Sequence, residues 1–354
     1  MPRARDLGIE IGKLLPGPLD AITDVPGVRV GHTTLIEGSD VRTGVTVVVP
    51  PREPLFAASH TINGNGELTG LEWIRDSGTL TTPIGLTNTH SVGVVRDALI
   101  AAAPPGEGDW SLPVVGETWD GFLNDINGFH VRPEHVFAAL DAAQEGPVEE
   151  GSVGGGTGMV CHGFKGGIGT ASRVVEDGWM VGVLVQANHG RRWRLRVNGV
   201  PVGERVGPDV VPLPVSDAGE GAGSIIVLIA TDAPLVPGQC DRVSRRAAFG
   251  IARTGGMGER SSGDFALCFA TGNSGLDAAE PELPVRMLND ARIDVLYEAA
   301  IDAVEESILN AMLASHTMTG RNANTVHCLP PDLLLDALGL NEQDQAGSSI
   351  TSST

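Results

Sequence analysis

The sequence predicts a layered α/β protein. Three observations carry this: short buried runs rich in β-branched residues, longer segments with helical periodicity, and the alternation of the two through both halves of the chain. Residues 43–49 (TGVTVVV) read as a buried strand, followed by turn chemistry in Asn63-Gly64-Asn65-Gly66. The stretch 90–103 reads as a helix with Thr89 or Ser91 as its cap. A second helix fits 134–144, where Pro133 suits a first turn. Residues 151–170 are glycine-dense, 179–186 (WMVGVLVQ) read as a strand, and SIIVLIA from Ser224 reads as another. Val243, Ala247 and Ile251 give 239–254 helical periodicity, with Gly255 and Gly256 as its stop. A strand fits 264–270, and Leu296, Ala300, Val304, Ile308 and Met312, spaced by four, mark a long helix over 293–313.

A length of 354 residues allows two domains, but no repeat or linker divides the chain, so a single domain is expected over 1–340. The polar tail, 341–354, is expected to be disordered. A net charge of −20 repels phosphate backbones and anionic lipid, which argues against nucleic-acid and membrane-surface roles. No run approaches the roughly 20 apolar residues of a membrane helix, and the N-terminal segment has no secretory apolar stretch. Cys161, Cys240, Cys268 and Cys328 form no C-x-x-C pair and read as free, mainly buried thiols, so a cytoplasmic protein is expected. The histidines show no H-x-x-x-H or H-E-x-x-H spacing, and the glycine-dense segment lacks the Lys-Ser or Lys-Thr of a phosphate loop. Neither a metal nor a cofactor is expected. The glycines of 154–170 are expected to serve close backbone packing near the active site.

The chemistry concentrates at Gly223-Ser224. A serine hydroxyl can attack the preceding carbonyl carbon, shifting the peptide to an ester that water hydrolyses. Glycine helps by tolerating unusual backbone angles and by offering no side chain to block attack. The polar loop before it, VSDAGEGAG, supplies a place to cut, and the strand after it would hold the new N-terminus. Cleavage would leave one residue with both a hydroxyl nucleophile and a free α-amine, whose ordinary pKa of about 7.7–8.0 leaves a useful neutral fraction. By spacing alone, Ser224 reads far more readily as an ordinary strand start, since serines before strands are common.

Longer segments decide between these readings. They are ITDVPGVRVGHTT (22–34), NGNGELTGLEWI (63–74), TPIGLTNTHSVGVVRDAL (82–99), ETWDGFLNDINGFHV (117–131), GGGTGMVCHGFKGGIGT (154–170), VGVLVQANHG (181–190), GSIIVLIATDAPLVPGQCDRVSRRA (223–247) and ASHTMTGR (314–321). Through them the chain, from Ala21 to Leu338, resembles the self-processing serine aminopeptidases that include DmpA and the β-aminopeptidases. The resemblance implies a four-layer αββα sandwich like that of N-terminal-nucleophile hydrolases, with different connectivity. It implies self-cleavage into an α-chain, 1–223, and a β-chain, 224–354, and assembly as tetramers of αβ units.

By the same resemblance, Ser262 and Asp264 in GERSSGDF orient and polarise the nucleophile; the family sometimes has glutamate where Asp264 stands. Residues i and i+2 of an extended segment point the same way, so both would face Ser224 if the two strand starts lie side by side. Asn188 in QANHG matches the amide that stabilises the oxyanion, and Glu117 in ETWDG matches the carboxylate that holds the substrate ammonium. Trp119 stands where some members have tyrosine; it cannot shuttle a proton and is expected in the pocket wall, core packing being the alternative. His189 lines the site or is a surface residue. The base is the α-amine, Ser262 or both. The substrates implied are small peptides and aminoacyl amides or esters, with D-Ala, L- and β-residues all open. Two alternatives stand beside this: an acyltransferase like the ornithine acetyltransferases, which usually process before threonine, and an unprocessed, non-catalytic binding or structural protein.

Overall fold

The computed structural model describes residues 1–51, 54–175, 178–214 and 223–341. Most of the loop expected before Ser224 and nearly all of the tail lie outside the described residues. In chain order the strands are β1 (Arg29–Glu37), β2 (Val41–Val49), β3 (Leu55–Gly64), β4 (Thr79–Leu80), β5 (Ile84–Asn88) and β6 (Val114–Thr118). They continue with β7 (Val160–Cys161), β8 (Phe164–Lys165), β9 (Gly167–Val174), β10 (Met180–Asn188), β11 (Ser224–Thr231) and β12 (Gly263–Ala270). The helices are α1 (Leu71–Ser77), α2 (Val92–Ala102), α3 (Pro133–Asp141), α4 (Val202–Arg205), α5 (Pro237–Ser244), α6 (Ala247–Arg253), α7 (Asp294–Leu313) and α8 (Pro331–Leu338).

Two sheets stack face to face. One has the order β1-β2-β5-β6 and the other β4-β3-β12-β11-β10-β9. Within the second, β11 runs parallel to β12 and antiparallel to β10. Strand alternation supplies both faces of β11 with apolar residues. Ile225, Val227 and Ile229 pack with Leu296, Val304 and Ile308 of α7. Ile226 and Leu228 pack with Ile84, Leu86 and Val114 of the facing sheet. On the far side, Val45, Val47 and Val115 meet Val95 and Leu99 of α2 and Val136 of α3. The result is the four-layer α-β-β-α sandwich.

The long helix forms as its spacing predicts, with Leu296, Ala300, Val304, Ile308 and Met312 fully buried. Three local expectations change. The predicted helix over 239–254 is two helices, because at Arg246 the backbone tightens to bond the carbonyl of Val243. This break lets α5 lie on β3 and β12 while α6 lies on α7. Ser91 is the N-cap residue of α2, as expected, but makes no side-chain capping bond; the side-chain cap belongs to the 3-10 turn Thr89–Ser91 just before it, where Asn88 accepts from the His90 N–H. The first half of Asn63-Gly64-Asn65-Gly66 is strand, not turn, since β3 extends to Gly64 to pair with β12. Gly155, in the glycine-dense segment, meets the expected need for close packing: a Cβ there would lie 2.2 Å from Gln186 Oε1 and 2.7 Å from the Leu86 carbonyl oxygen. Cys161, Cys240, Cys268 and Cys328 are free, the first three buried. Among the described residues no helix is long and apolar enough to cross a membrane.

Candidate active site

Ser224 is the first residue of β11, 6% exposed, and Asn188, the last residue of β10, is its direct antiparallel partner. Both belong to the strand rows that face the other sheet. Gly223 fits because of a close backbone approach. A Cβ there would stand 1.8 Å from the Asn188 carbonyl oxygen and 3.3 Å from the His189 Cα. Its φ is not in the left-handed region, so this close approach, rather than an unusual backbone angle, is what calls for glycine here.

The Ser224 hydroxyl accepts a hydrogen bond from the Gly263 N–H at 3.0 Å. β11 and β12 do begin side by side, with Ile225 opposite Asp264. The Ser262 hydroxyl donates to Asp264 Oδ1 at 2.5 Å, and the Ile225 N–H donates to the same carboxylate. Asp264 therefore touches the peptide unit that follows Ser224. By alternation, however, it belongs to the helix-side row with Ala266 and Cys268, not to the inner row of Ser224. At the start of these two central strands, the Gly263 N–H between Ser262 and Asp264 is the direct contact to the nucleophile, and Asp264 is linked to it through the Ile225 N–H. Burial pushes the Asp264 carboxyl up to about 6, and Glu259 adds in the same direction, against the two hydrogen bonds it accepts.

Asn188 is fixed at both ends of its amide. Oδ1 accepts from the Val160 N–H at 2.6 Å and Nδ2 donates to the Trp119 carbonyl at 2.9 Å. One Nδ2 hydrogen remains for a ligand. The Trp119 contribution seen here is thus its backbone carbonyl. Its indole is 41% exposed, which excludes core packing, and it covers Gly121. His189 is a buried residue rather than a surface one, and lines a cleft with Glu259, Ser262 and Asp264.

Glu117 is buried near the end of β6. Oε1 accepts from the Glu67 N–H at 2.9 Å and Oε2 from the Thr89 hydroxyl at 2.5 Å. Burial raises its pKa above the usual carboxylate range while these hydrogen bonds pull it down. A Cβ placed on Gly66 would lie 2.8 Å from Glu117 Oε1 and 3.1 Å from the Gly263 Cα. That position links the carboxylate to the residue holding the Ser224 hydroxyl. The structure therefore brings Ser224, Asn188, Glu117, Ser262 and Asp264 to one end of the facing sheets.

Sequence reasoning missed four contributors. Gly263 acts through its N–H, which leaves no side-chain signal. Thr89 reads as a cap but bonds Glu117. Gln186 ties the sheets beside the site, its Nε2 donating to the Thr87 carbonyl and to Thr118 Oγ1. Asp120, wholly buried and accepting from Asn124 Nδ2, is pushed up to about 7 by burial. Its position in ETWDG was the available signal.

Residues 20–326 match peptidase family S58. The chain is 47% identical to the beta-peptidyl aminopeptidase BapA of Sphingosinicella microcystinivorans, over 93% of this chain and 90% of that one. Among solved structures, a Burkholderia sp. beta-aminopeptidase superposes with a TM-score of 0.89 at 55% identity, covering 96% of this chain and 98% of its own. The L-aminopeptidase D-Ala-esterase/amidase of Ochrobactrum anthropi, a prototype of the serine aminopeptidases with a variant of the Ntn-hydrolase fold, superposes with a TM-score of 0.88 at 42% identity, over 97% of this chain and 99% of its own. These relatives are named as aminopeptidases and an esterase/amidase, and the sandwich described above is that Ntn-hydrolase variant. The chain belongs to peptidase family S58 and is a serine aminopeptidase.

Proposed function

We propose that the precursor cleaves itself between Gly223 and Ser224, giving chains 1–223 and 224–354, and that Ser224 then serves as nucleophile for N-terminal β-aminoacyl residues. The observation that carries this is the pairing of Ser224 with Asn188 at the mouth of the two sheets, with the serine hydroxyl held by the Gly263 N–H. In processing, Ser224 Oγ attacks the Gly223 carbonyl, its proton passes to the departing amine, and water hydrolyses the ester. In turnover, Oγ attacks the substrate carbonyl and the leaving amine takes a proton. Water then frees the amino acid from the acyl-enzyme.

The positions of these residues support the following roles. The remaining Nδ2 hydrogen of Asn188 donates to the oxyanion. Glu117 pairs with the substrate ammonium. Asp264, through Ser262 and the peptide after Ser224, orients the nucleophile and the new α-amine. The β-aminoacyl preference rests on the two relatives of that activity at 47% and 55% identity. We further propose a tetramer of αβ units, to be checked by light scattering, and cytoplasmic residence, which the free thiols favour and cell fractionation tests.

Intact-mass spectrometry of the wild type beside Ser224→Ala tests the processing step. Two fragments split at 223/224 in the wild type alone are expected; one intact chain in both after long incubation refutes it. Unblocked β-, L- and D-aminoacyl amides then rank the substrates, and faster turnover of an L- or D-residue than of β-homologues overturns the preference.

A further inference from the structure

Beside the active site, where β7 turns into β8, Cys161 and His162 lie against His189 at the end of β10. The His162 N–H donates to the His189 carbonyl at 2.7 Å, which fixes the two segments together. Cys161 and His162 are fully buried and His189 is 5% exposed. Cys161 Sγ stands 3.9 Å from His189 Nδ1, and one ligand atom from each of the three residues lies within 4.8 Å of the other two. His162 Nδ1 sits 3.1 Å from the Arg191 carbonyl, so that nitrogen carries the proton and Nε2 presents a lone pair. The buried Nε2 atoms of His162 and His189 have no hydrogen-bond partner among the described residues. Buried polar atoms in a protein interior are normally paired, so the orphaned Nε2 of His162, in a cluster with the Cys161 thiol and the His189 Nδ1 that faces it, points to a ligand; the His189 Nε2 is on the other edge of its ring.

We propose that Cys161, His162 and His189 form a binding site for one zinc-class cation, with a fourth position left to solvent or an anion. A thiolate with two imidazoles selects zinc, cadmium or Cu(I) over the hard ions magnesium and calcium. With a metal–sulfur bond of about 2.3 Å and metal–nitrogen bonds of about 2.0–2.1 Å, the sulfur–nitrogen edge of a tetrahedron is about 3.6 Å. The observed 3.9 Å is close to that, and separations of up to 4.8 Å within the cluster have to close by about 1–1.5 Å on binding. The Nδ1–H to carbonyl bond of His162 is the outer-shell contact that fixes a ligating ring. Of the three residues, His189 also lines the cleft with Glu259, Ser262 and Asp264, so the cluster adjoins that cleft through this ring. Lys165 lies beside Cys161 with Nζ on the carbonyls of Gly156 and Gly166, but burial pushes the Cys161 thiol up to about 12 and Lys165 opposes this only in small part, so the incoming cation itself has to displace the thiol proton. On binding, a sulfur–metal bond replaces the Cys161 S–H bond and the proton leaves to solvent, with no change of oxidation state. The linear sequence hides the site because two ligands come from the β7–β8 hairpin and the third from the residue just after β10.

The test uses the full chain, freed of metal with a chelator and titrated with cadmium, whose thiolate charge-transfer band reports sulfur ligation. The wild type and Cys328→Ser, altered at the partly exposed thiol outside the cluster, are expected to bind one ion with that band. Cys161→Ser loses the band and at least tenfold in affinity. His162→Asn keeps the band and also binds at least tenfold more weakly, and zinc displaces cadmium from the wild type. No band in the wild type overturns the proposal, as does a band lost in Cys328→Ser and kept in Cys161→Ser. Should Cys161→Ser fail to fold, unchanged affinity in His162→Asn overturns it alone. None of these readouts depends on peptidase activity.

Discussion

Gly223→Ala isolates the steric reasoning at the cleavage site. The added methyl would stand 1.8 Å from the Asn188 carbonyl oxygen and 2.9 Å from its carbonyl carbon, whereas real Cβ atoms stay at least 3.0 Å from such neighbours. The obstacle is backbone, not the end of a flexible side chain, so the ends of β10 and β11 must part by more than about 1 Å. That movement falls on the Asn188–Ser224 pair. A misplacement of about 1 Å at reacting groups costs about 100-fold in rate. Self-processing of Gly223→Ala should therefore be at least about 100-fold slower than in the wild type. The assay is a time course of intact mass after purification, with near-UV circular dichroism confirming a native fold. Cleavage within about threefold of the wild-type rate would refute the argument that close approach dictates the glycine.

Asp264 should give kcat an acidic limb, rising as pH passes about 6, because the ionised carboxylate accepts from Ser262 and Ile225; Asp264→Glu keeps a limb and Asp264→Asn loses most activity at every pH. The same raised pKa means the folded state holds this proton more tightly than the unfolded chain, so its stabilising contribution is present below the ordinary carboxylate range and is lost as pH rises through about 6. Denaturant unfolding of Asp264→Asn in a Ser224→Ala background should accordingly show a gain relative to its parent at pH 7.5 and not at pH 3.5. Asn188→Ala removes the amide that accepts from Val160 and donates to Trp119, and should lower kcat by about 100- to 1,000-fold, some 2.7–4 kcal/mol, in steady-state assays on processed enzyme. Glu117→Gln keeps the contact from the Glu67 N–H through its amide oxygen, reverses the one to Thr89 so that the amide NH2 donates to the hydroxyl, and removes the charge, so KM for substrates with a free ammonium should rise at least tenfold while the fold melts normally.

Much of this protein is legible without coordinates. The alternating strands and helices follow from residue type, because β-branched runs such as SIIVLIA and the four-residue spacing of α7 each bury well in only one conformation. Ser224, Asn188, Glu117, Ser262 and Asp264 are legible only through long matched segments, since each alone reads as a turn, a cap or a strand start. What the chain order cannot express is the face on which a residue lies and its neighbours across strands. Asp264 and Ser224 begin adjacent strands yet sit in opposite rows, so their link runs through Ser262, Ile225 and the Gly263 N–H. The cluster of Cys161, His162 and His189 is likewise invisible in a spacing rule, because a hairpin and a distant strand bring it together. Local sequence determines backbone periodicity through propensity and burial, but side-chain direction near strand ends, desolvation and close backbone approach arise only when separate strands pack, and those set the chemistry at Ser224.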